Sequence, residues 1–203
     1  MSIIKRLIGV FTLRPQVFEN IGQDPAATWQ AALIVGIVGF ISAVSAAISA
    51  AIWGVAFRAS NVGLGLIDGA VAEIGFRLPS LNGPIPAFFS TLVGAYVSWL
   101  LWALVTWLIG EYIFQGDTGF VELARITGYA KAPQILSGLG FIPGIGWIAR
   151  MVGWVWMLFA TFFGVKQGLE LSSGKTLLTV ILSSLVTFLV NWFVINPIFA
   201  SLF

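Results

Sequence analysis

The chain has no cysteine and no histidine, and only 9% of its residues are charged. Without cysteine there are no disulfides, thiol nucleophiles or thiolate metal ligands. Without histidine there is no imidazole ligand and no imidazole proton transfer. The charged fraction lies far below the ~25% of ordinary soluble domains, whereas 59% of residues are hydrophobic. That balance belongs to an integral membrane protein, so the lipid bilayer is the first expected partner. A net charge of +2 is too small a surplus to point to nucleic acid. Apolar blocks run from one end of the 203 residues to the other, leaving no stretch for a separate soluble domain. A single domain over 1–203 follows.

Catalysis fares poorly on the same inventory. An intramembrane serine protease of the Ser–His type needs the missing histidine. An aspartyl pair would have to lie inside spans, but Asp24, Asp68 and Asp117 fall at span edges or in loops. There is no Gly-rich phosphate loop ending in Lys-Ser/Thr and no cluster of carboxylates. The expectation is a non-enzyme with no catalytic residue, no cofactor and no metal.

What is present reads as an all-α integral membrane bundle of five transmembrane helices with short interfacial amphipathic helices. Residues 1–24 form the interfacial lead-in, and the spans fall at about 25–57, 86–114, 120–142, 147–168 and 176–203. Met1 to Phe11 has the look of a signal peptide, but Lys5 and Arg6 interrupt its apolar run, so it is expected to be retained. Ile3, Ile4, Leu7, Ile8 and Phe11 recur at helical spacing, with Ser2, Lys5, Arg6 and Thr12 on the other side. A second short helix from Pro15 would lay Phe18 and Ile21 on the membrane surface. Asp24-Pro25 is a helix start, with Asp as N-cap and Pro at the first helical position.

Within the first span Gly39, Ala43, Ala47 and Ala51 recur every fourth residue. Such a stripe admits a close neighbour, either a helix of the same bundle or a second copy in a homo-oligomer. The stretch from Arg58 to Asn82, with Asp68, Glu73 and Arg77, reads as a loop on the far surface. Pro84 and Pro86 open the second span, Glu111 closes it, and Gly116-Asp117-Thr118-Gly119 breaks the chain before a short amphipathic helix, Phe120 to Thr127, bearing Glu122 and Arg125. Gly128, Tyr129, Lys131 and Pro133 mark the start of the third span, where Pro133 denies the helix a hydrogen bond. Tyr129 is expected to offer its hydroxyl to a polar partner, and Lys131 to reach the interface or Glu111. On this view the bend lays Phe120 to Thr127 flat on the cytoplasmic surface as a docking platform, or merely fits short helices together. Pro143-Gly144-Ile145-Gly146 is a tight turn, so the fourth span doubles back on the third, with Arg150 in its first turns. Asn191 and Asn196 are amides inside the last span, serving as interhelical hydrogen-bonding groups or as part of a pathway.

Five spans put the termini on opposite sides. With the N-terminus cytoplasmic and the C-terminus outside, Lys5, Arg6, Arg14, Arg125, Lys131, Lys166 and Lys175 lie in the cytoplasm and Arg58, Arg77 and Arg150 lie outside. This split obeys the positive-inside bias.

The chain resembles the Yip family (Ypt-interacting proteins). The residues that carry the likeness are Leu13-Arg14-Pro15-Gln16-Val17-Phe18 through Asp24-Pro25, and Gly128-Tyr129 followed by Pro133, similar to the family's Gly-Tyr-x-x-x-Pro pattern. The resemblance implies five spans and a cytosolic N-terminus. In eukaryotic relatives it implies small Rab-type GTPases and vesicle traffic, with a long cytosolic N-terminal region. This chain reaches its first span at Pro25 and looks like a short prokaryotic member, placed in the cytoplasmic membrane. The leading functional expectation is a protein that organises membrane or binds an unidentified membrane or cytoplasmic protein through its cytoplasmic face. The other is a small carrier or channel using the broken third span and Asn191.

Overall fold

Helix α1 (Ile3–Phe11) opens the computed structural model, which describes residues 1–60, 83–195 and 198, with the backbone alone at 53–60. The expected far-surface loop with Asp68, Glu73 and Arg77, the side chain of Arg58, and Asn196 and Pro197 lie outside the described residues. After α1 come α2 (Pro15–Gln23), α3 (Ala27–Ser60) and α4 (Pro84–Leu108), which runs on as a π-helical turn over Ile109–Ile113. Then follow α5 (Phe120–Ala130), a 3-10 segment (Ala132–Phe141), α6 (Gly146–Gly168) and α7 (Ser173–Val190), the last also ending in a π-helical turn, Asn191–Ile195. All regular structure among the described residues is helical.

Among the described residues four stretches are long and apolar enough to cross a membrane: Ala27–Ile52, Pro84–Ile113, Gly146–Gly168 and Ser173–Ile195. The remaining expected span, 120–142, is not one helix. It is split into α5 and the 3-10 segment, with i→i+3 bonds from the Lys131 amide to Gly128 and from the Gln134 amide to Lys131. Pro133 is the cause: it has no N–H to give and disfavours α geometry in the residue before it.

The order of neighbours fixes how the pieces run. Gly36 lies against Tyr96 and Gly39 against Ala95 and Leu92, while the rings of Phe40 and Phe88 sit edge to face 5.7 Å apart. Helix α4 is therefore antiparallel to α3. Gly128 lies on Ala31 and Gly138 on Ile41, and the hydroxyls of Ser42 and Ser137 are 2.5 Å apart. The α5 and 3-10 pair thus runs parallel to α3. Helix α6 returns beside it, with Arg150 against Gly140, Gly153 against the Pro133 carbonyl, and Gly164 and Gly168 against Ile126. Of the small-residue stripe on α3, Gly39 and Ala43 are buried, Ala47 is half-buried and Ala51 is exposed.

The main core gathers at one end of the bundle, where Val10, Phe18, Ile21, Ala31, Val35, Ile126 and Tyr129 are all buried together. Three expectations bear on this end of the bundle. Phe18 and Ile21 do not face the membrane surface: both are wholly buried, and Phe18 fills the space left by Gly164. In helix α1 the side that turns inward is the one bearing Arg6, with Gly9 and Val10, and Ile4, Ile8 and Phe11 are exposed. Inside the bundle Arg6 finds hydrogen-bond acceptors, and the outward apolar row is suited to lipid rather than water. Finally, Phe120 to Thr127 is only partly at the surface: Val121 is exposed, and Phe120, Glu122 and Arg125 are half-buried. Seven residues of α5, Leu123, Ala124, Ile126, Thr127, Gly128, Tyr129 and Ala130, are buried. Its glycine and alanine leave room for α3, α4 and α6 to close around it.

Candidate functional site

Two polar groupings stand out in this apolar bundle, and both involve the Gly128 to Pro133 stretch. The first is built on Arg6. Gly9 has no side chain, and Val17 fills that space, so α1 and α2 cross closely enough to bring Asn20 and Asp24 within reach. Arg6 is fully buried. Its Nε and Nη2 donate to Asn20 Oδ1 at 3.1 and 3.0 Å, its Nη1 donates to Gln30 Oε1 at 2.9 Å, and its Nη2 also pairs with Asp24 Oδ2. The Tyr129 hydroxyl donates to the same Gln30 Oε1. A buried guanidinium is tolerable only when its donors are satisfied and its charge is met, and here both hold.

Asp24 has a second role in the same place. Its Oδ1 accepts the Ala26 amide at 2.9 Å, covering one free N–H at the start of α3. The Arg6 hydrogen bond, aided by the Ala26 amide, holds the Asp24 carboxyl below its usual range. Arg125, one turn before Tyr129, donates through Nη1 to the Gly22 carbonyl and ties α5 to the end of α2, with its Nε left unpartnered.

The second grouping surrounds Lys131. The ammonium does not meet Glu111: that carboxylate accepts the Trp107 indole N–H at 3.0 Å within its own helix. The correction has a simple cause, since the 3-10 turn at Lys131 directs it toward α6 and the middle of α4. There it lines a cavity of about 60 Å³ with Trp102, Thr127, Gln134, Met157 and Thr161. Thr127 gives its hydroxyl proton to the Leu123 carbonyl at 2.9 Å.

The remaining candidates are placed apart. Gly128 lies against Ala31 and Trp99, and the Trp99 indole donates to the Ala124 carbonyl at 3.0 Å. The Pro133 carbonyl sits over Gly153. The Asn191 amide donates to Thr187 O at 2.9 Å in its own helix and so bridges no second one through that bond. Among the described residues no cluster of three metal-ligating side chains occurs.

The family model of the Yip1 domain matches residues 8–195. The chain belongs to the Yip1 domain family. This Yip1 domain takes in Asn20, Asp24, Gln30 and Tyr129 of the first grouping and the whole of the second, while Arg6 precedes the match. No match was found among curated proteins or among solved structures.

Sequence reading missed the Arg6 grouping because Arg6 and Asp24 each had a complete local explanation, as interfacial charge and as N-cap. The available signal was Gln30, a polar amide one turn inside an otherwise apolar span. The Lys131 grouping was half visible. Nothing in the spacing of Trp102, Gln134 and Thr161 could bring three separate segments together.

Proposed function

We propose that this Yip1 domain is a non-enzymatic membrane-embedded scaffold, crossing the bilayer five times, that engages its partners through a cytoplasmic face built from α1, α2 and the 114–119 turn. The observation that carries the reading is the Arg6 grouping. It ties α1 and α2 to the bundle and leaves Ile4, Ile8 and Phe11 exposed along one side of a short amphipathic helix. Such a row, flanked by Lys5 and Arg14, suits the boundary between headgroups and cytoplasm, where an integral protein can hold a partner against the membrane. Helix α5, buried along most of its length, is left as the part that braces this face.

Five crossings are supported by the direction of the segments. The end of α4, the start of α5 and the end of α6 meet at the Arg6 end, through Gly110 against Leu169 and Gly168 against Ile126. Helix α6, at 23 residues long enough to cross, starts at the other end. The chain must therefore return between them through α5 and the 3-10 segment. The basic residues favour a cytoplasmic N-terminus for this arrangement.

A photo-crosslinking residue at Ile8 tests the partner face. The expected result in cells is one or a few discrete protein adducts from Ile8 and none from the same residue at buried Ala124. Adducts to lipid alone at Ile8 would end the partner reading.

A further inference from the structure

The cavity beside Lys131 holds an unusual set of groups for the interior of a membrane bundle. Lys131 Nζ, the Gln134 side-chain amide, the Thr161 hydroxyl and the Trp102 indole N–H make no hydrogen bond to any described residue, and none of the six lining residues carries a carboxylate. Three separate segments supply them: α4 gives Trp102, the junction of α5 with the 3-10 segment gives Lys131 and Gln134, and α6 gives Thr161. All four are donors, and the Lys131 ammonium adds a full positive charge. An unpaired ammonium at membrane depth is costly, and such residues pair with something in nearly every case. Among the described residues no carboxylate pairs with it.

The position narrows what could serve. Gly128 lies on Ala31, four residues into α3, which is about 6 Å along the helix at 1.5 Å per residue. Lys131 comes one turn further along. That places it in the half of the apolar stretch Ala27–Ile52 nearer the Arg6 end, within reach of the headgroup boundary for a long lysine side chain. Lys131, Gln134 and Trp102 are half-buried whereas Thr161 and Met157 are buried, so the cavity is entered from the lysine side. Its volume of about 60 Å³ is several times the ~10–15 Å³ that a cavity needs to hold one water. It has room for a small oxyanion group.

We infer that the cavity formed by Lys131, Gln134, Thr161 and Trp102 binds a phosphate group, carried either by an anionic phospholipid or by a soluble phosphate. Lys131 neutralises the charge, Gln134 and Thr161 donate to its oxygens from opposite sides, and Trp102 and Met157 cover the apolar part of the ligand. The site is separate from the Arg6 grouping and does not depend on the proposed partner face.

The test uses the full chain purified in a neutral detergent, with native mass spectrometry reading bound ligand. Phosphatidylglycerol, diacylglycerol and inorganic phosphate are titrated separately into the wild type and into Lys131→Met, Gln134→Leu and Thr161→Val. The wild type is expected to retain phosphatidylglycerol and not diacylglycerol. Lys131→Met should weaken that retention at least about tenfold, and Thr161→Val several-fold, as for lost hydrogen bonds to a charged group. Thr161→Val keeps the shape of the side chain, so the comparison survives if Lys131→Met does not fold. If inorganic phosphate binds with the same sensitivity to the variants and phosphatidylglycerol does not, the phosphate site stands and its source is soluble. Equal retention of phosphatidylglycerol and diacylglycerol, or binding of both phosphate ligands that none of the three substitutions changes, overturns the inference and leaves Lys131 as a lysine that merely extends toward the interface.

Discussion

The Tyr129 hydroxyl donates to the same Gln30 oxygen that receives Arg6 Nη1, so one side-chain atom on α3 holds residue 6 and residue 129 together. Tyr129→Phe removes one donor and leaves Gln30 still bonded to Arg6. Its expected cost is that of a single buried hydrogen bond, about 0.5–1.5 kcal/mol. Gln30→Leu strands two donors at once and should lower the thermal midpoint further than Tyr129→Phe. Thermal unfolding of the two variants in one detergent checks the order; the reverse order would mean that Gln30 is not the shared acceptor.

Acid should loosen the same end of the bundle. The folded-state carboxyl of Asp24 is depressed by Arg6 and the Ala26 amide. Its contribution is therefore fully present above the usual aspartate value, ~3.9, and is lost as pH falls through the lower folded value. Stability measured against pH should drop more steeply in this acid range for the wild type than for Asp24→Asn, which should start lower and run flatter. Parallel curves would remove Asp24 as the source.

Close approach at Gly128 gives a third expectation. A Cβ there would lie 2.8 Å from the Ala31 Cβ and 3.1 Å from Trp99 Nε1, so Gly128→Ala must push α5 away from α3 and strain the Trp99 bond to Ala124. Overpacking of this kind costs about 1–3 kcal/mol. Gly119→Ala, where nothing stands within 4 Å and the backbone is extended at φ −81°, serves as the control and should change stability by less than about 0.5 kcal/mol. A destabilised control with an unaffected Gly128→Ala would contradict the packing described.

The absence of cysteine makes topology directly testable. Single cysteines at Ser2, Ile145 and Ser172 can be labelled with a membrane-impermeant maleimide in sealed vesicles. Ser2 and Ser172 are expected to react from one side and Ile145 from the other. Reaction of Ile145 together with Ser2, and of Ser172 from the opposite side, would show that α5 and the 3-10 segment turn back without crossing.

The four long apolar helices were legible because a helix in lipid needs little more than length and low charge. The motif at Gly128 to Pro133 was legible as a weak point in a helix, since Pro133 acts on its own neighbours whatever surrounds it. Its burial was not. Whether Glu122 and Arg125 mark a surface helix or an enclosed one depends on what covers the other side, and Arg125 reaches Gly22, 103 residues earlier in the chain. Arg6 misled for the same reason: helical spacing divides a helix into two faces but does not say which of them turns inward.

The shared Gln30 oxygen also sets an order in time. Arg6 and Asp24 are 18 residues apart and leave the ribosome almost together, whereas Tyr129 follows Gln30 by 99 residues. At about 5–20 residues per second that interval is roughly 5–20 s. For that long the nascent chain has Arg6, Asn20, Asp24 and Gln30 but neither the tyrosine nor the rest of α5 to set against them. The first 30 residues are thus made early and finished late, and the hydroxyl of Tyr129 closes them only after two long apolar helices have already been delivered to the membrane.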